Sequence, residues 1–510
     1  MSRKFLPPGA YTGVRPYEVL PFRFMVLDNG KELLTTDWGE WLVAPRGTAA
    51  RLIRRDILPS EPSYRALRAK QILHDTSSSA LLDIAATKLR TKKSFLNGFT
   101  KLHMFVVTLR CEHSCLYCQV SRQTEDRVRY DMSRETADKA LDIMFSSPSP
   151  FLTLEFQGGE PFLAFSLMEY VVAGAKERAA RFNKQIDLVV ATNLSVATDD
   201  QLRWCRDEGV QVSTSLDGPP FIHNANRPRP GGDSYDRTIS GIKRARDFVG
   251  RDNVSALMTT TALSLAHPLE IIDEYVKQEL RSIFLRPISP YGFAVRVRRN
   301  WTLYGTDEFL AFYMKGLAHI LNLNKNGTDL AEVYAKILLT KILTPFPTRY
   351  VDLDSPSGAA IAGVIYNYDG DVYAADEGRM LAEMGDRTFK IGNVHLDDYR
   401  GIFGNEVVAG VVAAGTAEAL PGCSLCAVQP FCGADPIFHH KTQGDPVGNR
   451  PLSGFCRKNM TIIKHLLDLI SSDDPGIERT FMAWIRGKSL KEMIDWGPCE
   501  THDSGKAARN

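Results

Sequence analysis

The sequence predicts an α/β protein built on a partial (βα)6 barrel, with a small N-terminal α+β unit before it and a cysteine-bearing extension after it. Three observations predict this. From about residue 100 to 300, strand-like runs alternate with amphipathic helices, a pattern of parallel strands joined by helical crossovers. The first 95 residues read instead as three strands followed by three helices. Seven of the nine cysteines fall into two groups, Cys111, Cys115 and Cys118 just after the first barrel strand and Cys423, Cys426, Cys432 and Cys456 near the C-terminus.

At the N-terminus, the run Phe22 to Leu27 is followed by Asp28-Asn29-Gly30, a hairpin turn because Asn and Gly tolerate positive φ. Leu33 to Thr36 and Trp41 to Val43 add two strands, and Thr48–Ile57, Ser63–His74 and Ala80–Leu89 read as helices. Arg51, Arg54 and Arg55 form a basic cluster that could attract an acidic peptide, although charged helix faces are usually only solvated. Barrel strands are expected near 103–109, 151–156, 187–191, 210–215, 254–259 and 282–288. Six units are too few for a closed eight-fold barrel. Ala137, Ala140, Leu141 and Met144 mark one helix face, and Met168, Val171, Val172 and Ala175 another, with Ser133 and Ser166 as expected N-caps. Cys205, at helical spacing from Leu202, reads as a small core residue, and Cys499 is assigned nothing. The division expected is 1–95, a barrel over 96–305, a helical linker over 306–355, a cysteine-bearing domain over 356–475, and a helix and tail over 476–510, the last ten residues disordered.

Composition narrows the function. With 510 residues, 44% hydrophobic, 24% charged and a formal net charge of +2, nothing points to nucleic acid as partner. No apolar run approaches the ~20 residues of a membrane span, and the first residues lack the apolar core of a signal peptide. A cytoplasmic location is expected, where clustered thiols suggest metal rather than disulfides.

The stretch Phe105 to Cys118, FVVTLRCEHSCLYC, runs from a buried strand into cysteines spaced C-x3-C-x2-C. Three thiolates are one too few for a closed tetrahedral zinc site or a fully protein-held four-iron cluster. They would leave one iron open. A zinc loop completed by His113, or three unrelated thiols, are the other readings of the spacing. Tyr117 stands where an aromatic ring can pack on a nucleobase. About forty residues on, the strand Leu152 to Phe156 ends in Gly158-Gly159-Glu160-Pro161. This combination resembles the radical S-adenosylmethionine (radical SAM) enzymes. The resemblance implies a [4Fe–4S] cluster on Cys111, Cys115 and Cys118, with SAM chelating the open iron. It also implies contacts to SAM from Tyr117, Gly158, Gly159 and Glu160, the glutamate holding the SAM amino group.

In this fold class ligands sit at the C-terminal ends of the strands. Thr192 and Asn193 follow the third strand, and Ser215-Leu216-Asp217-Gly218-Pro219, His223, Arg227 and the segment 232–236 follow the fourth. This run resembles one common in peptide-modifying radical SAM enzymes. That likeness puts Asn193, Ser215 and Asp217 beside SAM and makes Arg227 a partner for its carboxylate. Without it, Asp217-Gly218-Pro219 is a turn and Arg227 is solvent-exposed. Arg286-Pro287-Ile288 could meet substrate or adenosine.

Past the expected helices Thr306–Asn322 and Leu330–Leu343, Tyr366 to Tyr373 contains Asp369-Gly370, a hairpin signal. Cys423, Cys426 and Cys432 follow as C-x2-C-x5-C, with Cys456 beyond. Alone, these four could be a zinc ribbon, and His439 and His440 add to that reading. The whole segment resembles the SPASM extension of radical SAM maturases, which carries two auxiliary clusters. Here Ala375 and Pro436 occupy two expected cysteine positions, and Asp354 to Ala360 holds none. The resemblance therefore implies one auxiliary [4Fe–4S] cluster, on Cys423, Cys426, Cys432 and Cys456. Asp376 follows the vacant position, where sulfatase maturases carry a catalytic base; the other reading is ordinary surface charge.

The expected chemistry is one-electron reduction of SAM to a 5′-deoxyadenosyl radical that takes hydrogen from an unactivated carbon. The N-terminal strand–helix order resembles the winged-helix-like domains that bind leader peptides by strand addition, or serves only as a cap. The likeness runs furthest to the maturases of His-Xaa-Ser peptide systems, which implies a precursor peptide as substrate, an oxidative cross-link as one outcome, and an electron donor such as flavodoxin or ferredoxin. A sulfatase-type formylglycine maturase, a small-molecule radical SAM enzyme and a zinc protein are the alternatives.

Overall fold

In the computed structural model, which describes residues 17–75, 79–118, 120–292, 304–348, 350–472 and 474–493, five expected barrel strands pair in parallel in sequence order. They are β1 (Leu102–Thr108), β2 (Phe151–Gly158), β3 (Gln185–Ala191), β4 (Val210–Ser215) and β5 (Val254–Leu257). Cys499 and the C-terminal ten residues lie outside the described residues. Period-two alternation sorts the two faces of these strands. Leu152, Leu154 and Phe156 of β2 and Val210 and Val212 of β4 are buried under the helices. Glu155, Gln157, Ser213 and Ser215 face the other way and line a cavity inside the barrel. These alternate residues give the barrel interior its polar share, beside apolar Leu257 and Met258.

Two features differ from expectation. The sixth strand is only Ser282–Ile283, and it pairs with Ala331–Glu332 outside the main sheet. Pro287 and Pro290 cannot donate to a ladder, and one backbone bond, Thr260 N–H to the Arg286 carbonyl at 2.9 Å, ties this segment to the barrel. On the other side, β6 (Gly363–Tyr366) adds in parallel to β1, and β7 (Asp371–Tyr373) and β8 (Lys390–Asn393) continue antiparallel, making eight strands in the order β5-β4-β3-β2-β1-β6-β7-β8. The expected turn at Asp369-Gly370 joins β6 and β7, with Gly370 at φ +87°. Through the register, Glu155, Met104, Ile365 and Tyr373 lie in one row. Since β7 runs against the barrel strands, Asp376 emerges at the end opposite the cysteines.

Ser133 caps its helix, accepting from Thr136 N–H at 3.0 Å. Ser166 does not: Pro161 opens a short 3-10 turn capped by Glu160, and the long helix starts at Phe165. Cys205 is fully buried in the core. Among the described residues, no helix is long and apolar enough to cross a membrane.

The N-terminal strands Arg23–Val26, Glu32–Thr35 and Trp41–Ala44 form an antiparallel sheet, with helices Thr48–Arg54, Pro62–Ala69 and Ala80–Lys92 after it. Leu27 and Leu33 share a core with Ile462, Ile463 and Leu466 of the C-terminal helix Gly454–Ile470. Polar contacts follow the same path. Thr35 Oγ1 donates to the Ala427 carbonyl at 2.7 Å, Arg23 Nε to Ser424 O at 2.6 Å, and Lys92 Nζ to Pro430 O. Arg51, Arg54 and Arg55 each face an acid, Glu61, Asp56 and Glu18. Arg23→Ala also removes the ion pair to Asp37 at 2.6 Å. It is expected to lower stability by roughly 1–3 kcal/mol, since a half-buried carbonyl loses a charged donor, as read from urea unfolding.

Candidate active site

The cysteine loop is held by backbone on both sides. At the end of β2, Gly159 N–H donates to Thr108 O and Glu160 N–H to Arg110 O, each at 2.8 Å. A Cβ on Gly158 would lie 2.2 Å from Thr108 O, and one on Gly159 2.1 Å from Arg110 O, so glycine is required by the close approach of two main chains. Opposite, Ser114 N–H donates to Pro228 O at 2.7 Å and Leu116 N–H to Asn226 O at 3.1 Å. Arg110 braces the turn with a bidentate pair to Asp131 at 2.7 and 2.8 Å and a bond to Leu163 O. The sequence reading missed Arg110, Asp131 and Asn226; an arginine directly before the first cysteine was the available signal for the first.

Cys111, Cys115 and Cys118 line one cavity of about 270 Å³ together with Gly158, Gly159 and Asn193. Ser215, Tyr117, Arg227 and, at the far end, Arg286 and Asp376 also line it. Asn193 Nδ2 stands 3.9 Å from Cys111 Sγ. Asp217 does not reach the cavity. It is fully buried, accepting from Tyr117 Oη at 2.5 Å, Arg227 Nε at 3.3 Å and Thr259 N–H at 3.3 Å. The Arg227 guanidinium also lies 5.3 Å above the Tyr117 ring. This buried pair ties the cysteine loop to β4. His223 accepts from Asp217 N–H, and burial lowers its pKa to about 3, keeping the ring neutral. Glu160 is likewise buried behind the wall, accepting from Asn193 N–H at 2.9 Å, Thr192 Oγ1 at 2.8 Å and Phe162 N–H at 3.1 Å. Burial, then the Glu112 charge, push it up to about 8.

The donor set suits a cationic metal group. Burial raises the Cys111 thiol and pushes Cys115 up to about 12. Thiols so placed lose their protons when positive charge replaces them. His113 is engaged at both nitrogens, Nδ1 to Glu112 Oε1 at 2.9 Å and Nε2 to Ser234 Oγ at 2.8 Å, which leaves none spare for zinc. Bound together, an iron–sulfur cluster and SAM supply a carbon radical able to take a hydrogen atom.

Asp376 opens the helix Asp376–Glu383. Its Oδ1 is buried without a hydrogen bond, 3.9 Å from Arg379 Nε. Burial raises its pKa, with Arg379 and Arg286 pulling the other way.

Cys423, Cys426, Cys432 and Cys456 line a second cavity of about 220 Å³. Turns set the first three: Cys426 N–H donates to Cys423 O at 3.0 Å and Cys432 N–H to Gln429 O at 3.1 Å. Cys456 lies in the first turn of the helix capped by Ser453, an end suited to negative charge. Burial pushes Cys432 up to about 12 and Cys456 up to about 11. His439 is held by Asp435 O and Ser453 Oγ, and His440 by Asp386, so the histidines of the zinc-ribbon reading are occupied. Among the described residues, the three ligand-type atoms that gather within 4.8 Å belong to Cys111, Glu112 and His113.

Residues 105–276 match the Radical SAM superfamily. The fold superposes on native anSMEcpe with bound AdoMet (SAM) at TM-score 0.60 and 15% identity, covering 73% of this chain and 100% of that one. An uncharacterised protein of Methanothermobacter thermautotrophicus is 28% identical over 189 residues, 37% of this chain and 67% of that protein. A serine-type anaerobic sulfatase-maturating enzyme of Bacteroides thetaiotaomicron is 24% identical over 185 residues, 36% of this chain and 44% of that protein. The chain thus spans between 44% and 67% of the length of these two relatives. Residues 105–276 are a radical SAM domain. The chain carries a radical SAM domain and is a SAM-dependent enzyme, similar over part of its length to sulfatase-maturating enzymes.

Proposed function

We propose that the protein oxidises a side chain of a peptide or protein, in the cavity that runs from Cys111, Cys115 and Cys118 to Asp376. The observation that carries this reading is the position of Asp376: a half-buried carboxylate whose Oδ1 makes no hydrogen bond and lies 3.9 Å from Arg379 Nε, lining the same cavity as the three thiols. A serine or cysteine side chain between them would turn its Cβ toward the thiol end and its hydroxyl or thiol toward Asp376. Oxidation of serine to the aldehyde removes a hydrogen atom from Cβ, taken by the carbon radical, a proton from the hydroxyl, taken by Asp376, and one electron, which a cluster on Cys423, Cys426, Cys432 and Cys456 would accept; cysteine gives a thioaldehyde in the same step, and water then releases hydrogen sulfide to leave the aldehyde. In this reading Cys111, Cys115 and Cys118 hold the SAM-binding cluster, and Cys423, Cys426, Cys432 and Cys456 a second one. Tyr117, Gly158, Gly159, Asn193, Ser215 and Arg227 contact SAM, while Glu160 and Asp217 position that wall from behind. Electrons come from a flavodoxin or ferredoxin.

Support comes from the likeness to sulfatase-maturating enzymes and from the fold shared with anSMEcpe, which is known with AdoMet and a Cp18Cys peptide bound. A second reading, cross-linking of a His-Xaa-Ser type precursor, is favoured by Ala375 and Pro436, which leave a single auxiliary cysteine set. The products separate the two, since only an aldehyde is trapped by a hydrazine.

Asp376→Asn is expected to lower oxidation of a serine- or cysteine-containing sulfatase peptide by about 10²–10⁴-fold, with peptide-free SAM cleavage unchanged. Wild-type oxidation should rise with pH as Asp376 ionises, at a pH above the ordinary carboxylate range because burial raises its pKa. The variant should lose that rise. Unchanged oxidation in the variant would remove Asp376 from the chemistry.

A further inference from the structure

Arg450 lines the cavity of Cys423, Cys426, Cys432 and Cys456, and it is 7% exposed. It opens the short turn Arg450–Leu452 that leads into the cysteine-bearing helix, and the helix cap Ser453 donates its N–H to Arg450 O at 3.0 Å. A guanidinium offers a side-on fork, the parallel N–H groups of Nε and Nη2. In Arg450 both nitrogens of that fork are buried and neither has a hydrogen-bond partner. Nη1 is engaged instead, 2.8 Å from each ring nitrogen of His439. That ring is already held by Asp435 O and Ser453 Oγ. Burial, then the Arg450 charge, lower its pKa to about 4, so it is neutral. Burying a charged donor without an acceptor is costly. A fork held in this way calls for acceptors supplied by the group that the cavity binds.

The second observation is where this charge stands. The guanidinium lies within electrostatic reach of Cys423 and Cys456, the first and last thiols of the set. Val428, Pro451, Phe455 and Met460 make much of the remaining wall apolar, so its charge is weakly screened there. The other cations near the set are already committed. Arg23 donates to Ser424 O and pairs with Asp37, Lys92 donates to Pro430 O, and Lys341 donates to Leu353 O. Burial also lowers the pKa of both lysines, whereas a guanidinium keeps its charge wherever it is placed.

We propose that Arg450 donates its free fork to sulfur atoms of the second cluster and thereby raises that cluster's reduction potential, a role that rests on the two-cluster reading above. A cluster held by four thiolates is negative, and it becomes more negative when it accepts the electron given up by the substrate radical. Charge-assisted N–H···S bonds and a permanent cation both favour that reduced state. The substrate is oxidised by one electron and the cluster is reduced by one, with no further reagent. Arg450 touches neither substrate nor SAM in this scheme. It is a positioning residue that acts through the cluster.

The test is a dye-mediated redox titration, followed by electron paramagnetic resonance, of the full-length protein carrying Cys115→Ala, in which the outer cysteines hold the one remaining cluster. Adding Arg450→Met is expected to make one-electron reduction about tenfold less favourable, a fall in midpoint potential of about 59 mV. Arg450→Lys keeps the charge without the fork and should recover part of that fall. Iron and sulfide content and melting temperature establish that each variant is folded and loaded. If Arg450→Met does not retain iron, Arg450→Lys and Arg450→Gln carry the comparison. The first lacks the fork and the second the charge, so each should lower the reduction equilibrium about threefold. An unchanged or raised midpoint in the loaded variants overturns the proposal. Loss of iron from all three overturns it as well, in favour of a purely structural arginine. One zinc and no reducible cluster in the Cys115→Ala protein would sink the two-cluster reading and this role with it. A reducible cluster whose potential ignores Arg450 would sink this role alone.

Discussion

Replacing Cys115 with alanine is expected to abolish reductive cleavage of SAM while iron at Cys423, Cys426, Cys432 and Cys456 is kept. The thiol faces the cavity, whereas the turn it belongs to is made by backbone, Cys118 N–H to Cys115 O at 3.1 Å and Leu116 N–H to Asn226 O. Alanine therefore removes a donor without reshaping the loop. Two thiols remain, too few to hold a four-iron cluster. Iron and acid-labile sulfide should fall from about eight to about four of each per chain, counting four irons per cluster. Chromatography should detect no 5′-deoxyadenosine above the uncatalysed background. Retained cleavage would remove Cys115 from the ligand set. About four irons plus one zinc in the wild type would instead make the C-terminal site structural zinc.

Gly159→Ala is expected to be the most damaging change of a single hydrogen to a methyl group. The added Cβ would stand 2.1 Å from Arg110 O, 2.6 Å from Arg110 C and 2.8 Å from Leu109 O. All three are main-chain atoms, so no rotamer change relieves the clash. The end of β2 must peel away from β1, breaking the bonds from Gly159 N–H to Thr108 O and from Glu160 N–H to Arg110 O. Two buried hydrogen bonds and the associated strain amount to roughly 3–5 kcal/mol. Urea unfolding measures the loss, and SAM binding should fall with it. A variant with the wild-type midpoint would show that the two turns are not joined as described.

Much of this architecture was legible in local chemistry. Period-two and helical apolar patterns located β1 to β5, Ser133 announced its cap, and Asp369-Gly370 its hairpin. The thiols, Asn193, Ser215, Arg227 and Asp376 do come to one cavity. What local pattern could not carry was pairing between distant segments. β6 is a short apolar run with nothing to say that its neighbour is β1, some 260 residues earlier. Nor could sequence tell that Glu160 and Asp217 would be held in buried hydrogen bonds, because the donors that satisfy them come from segments distant in the chain. Ser166 looked like a cap until Pro161 and Glu160 opened an earlier turn.

The contacts between the N-terminal sheet and residues 424–430 bear on how this protein can be dissected. Deleting residues 1–95 would remove not only a candidate peptide-binding surface but also Thr35, Arg23 and Lys92, which grip three carbonyls of the loop between Cys423 and Cys432. It would also bare the apolar side of the helix that starts beside Cys456. A truncated protein that loses iron would report a broken splint rather than a missing receptor. The N-terminal segment thus supports the outer cysteines directly, so point substitutions at exposed positions such as Phe24 and Val26 are the cleaner probes of that sheet edge.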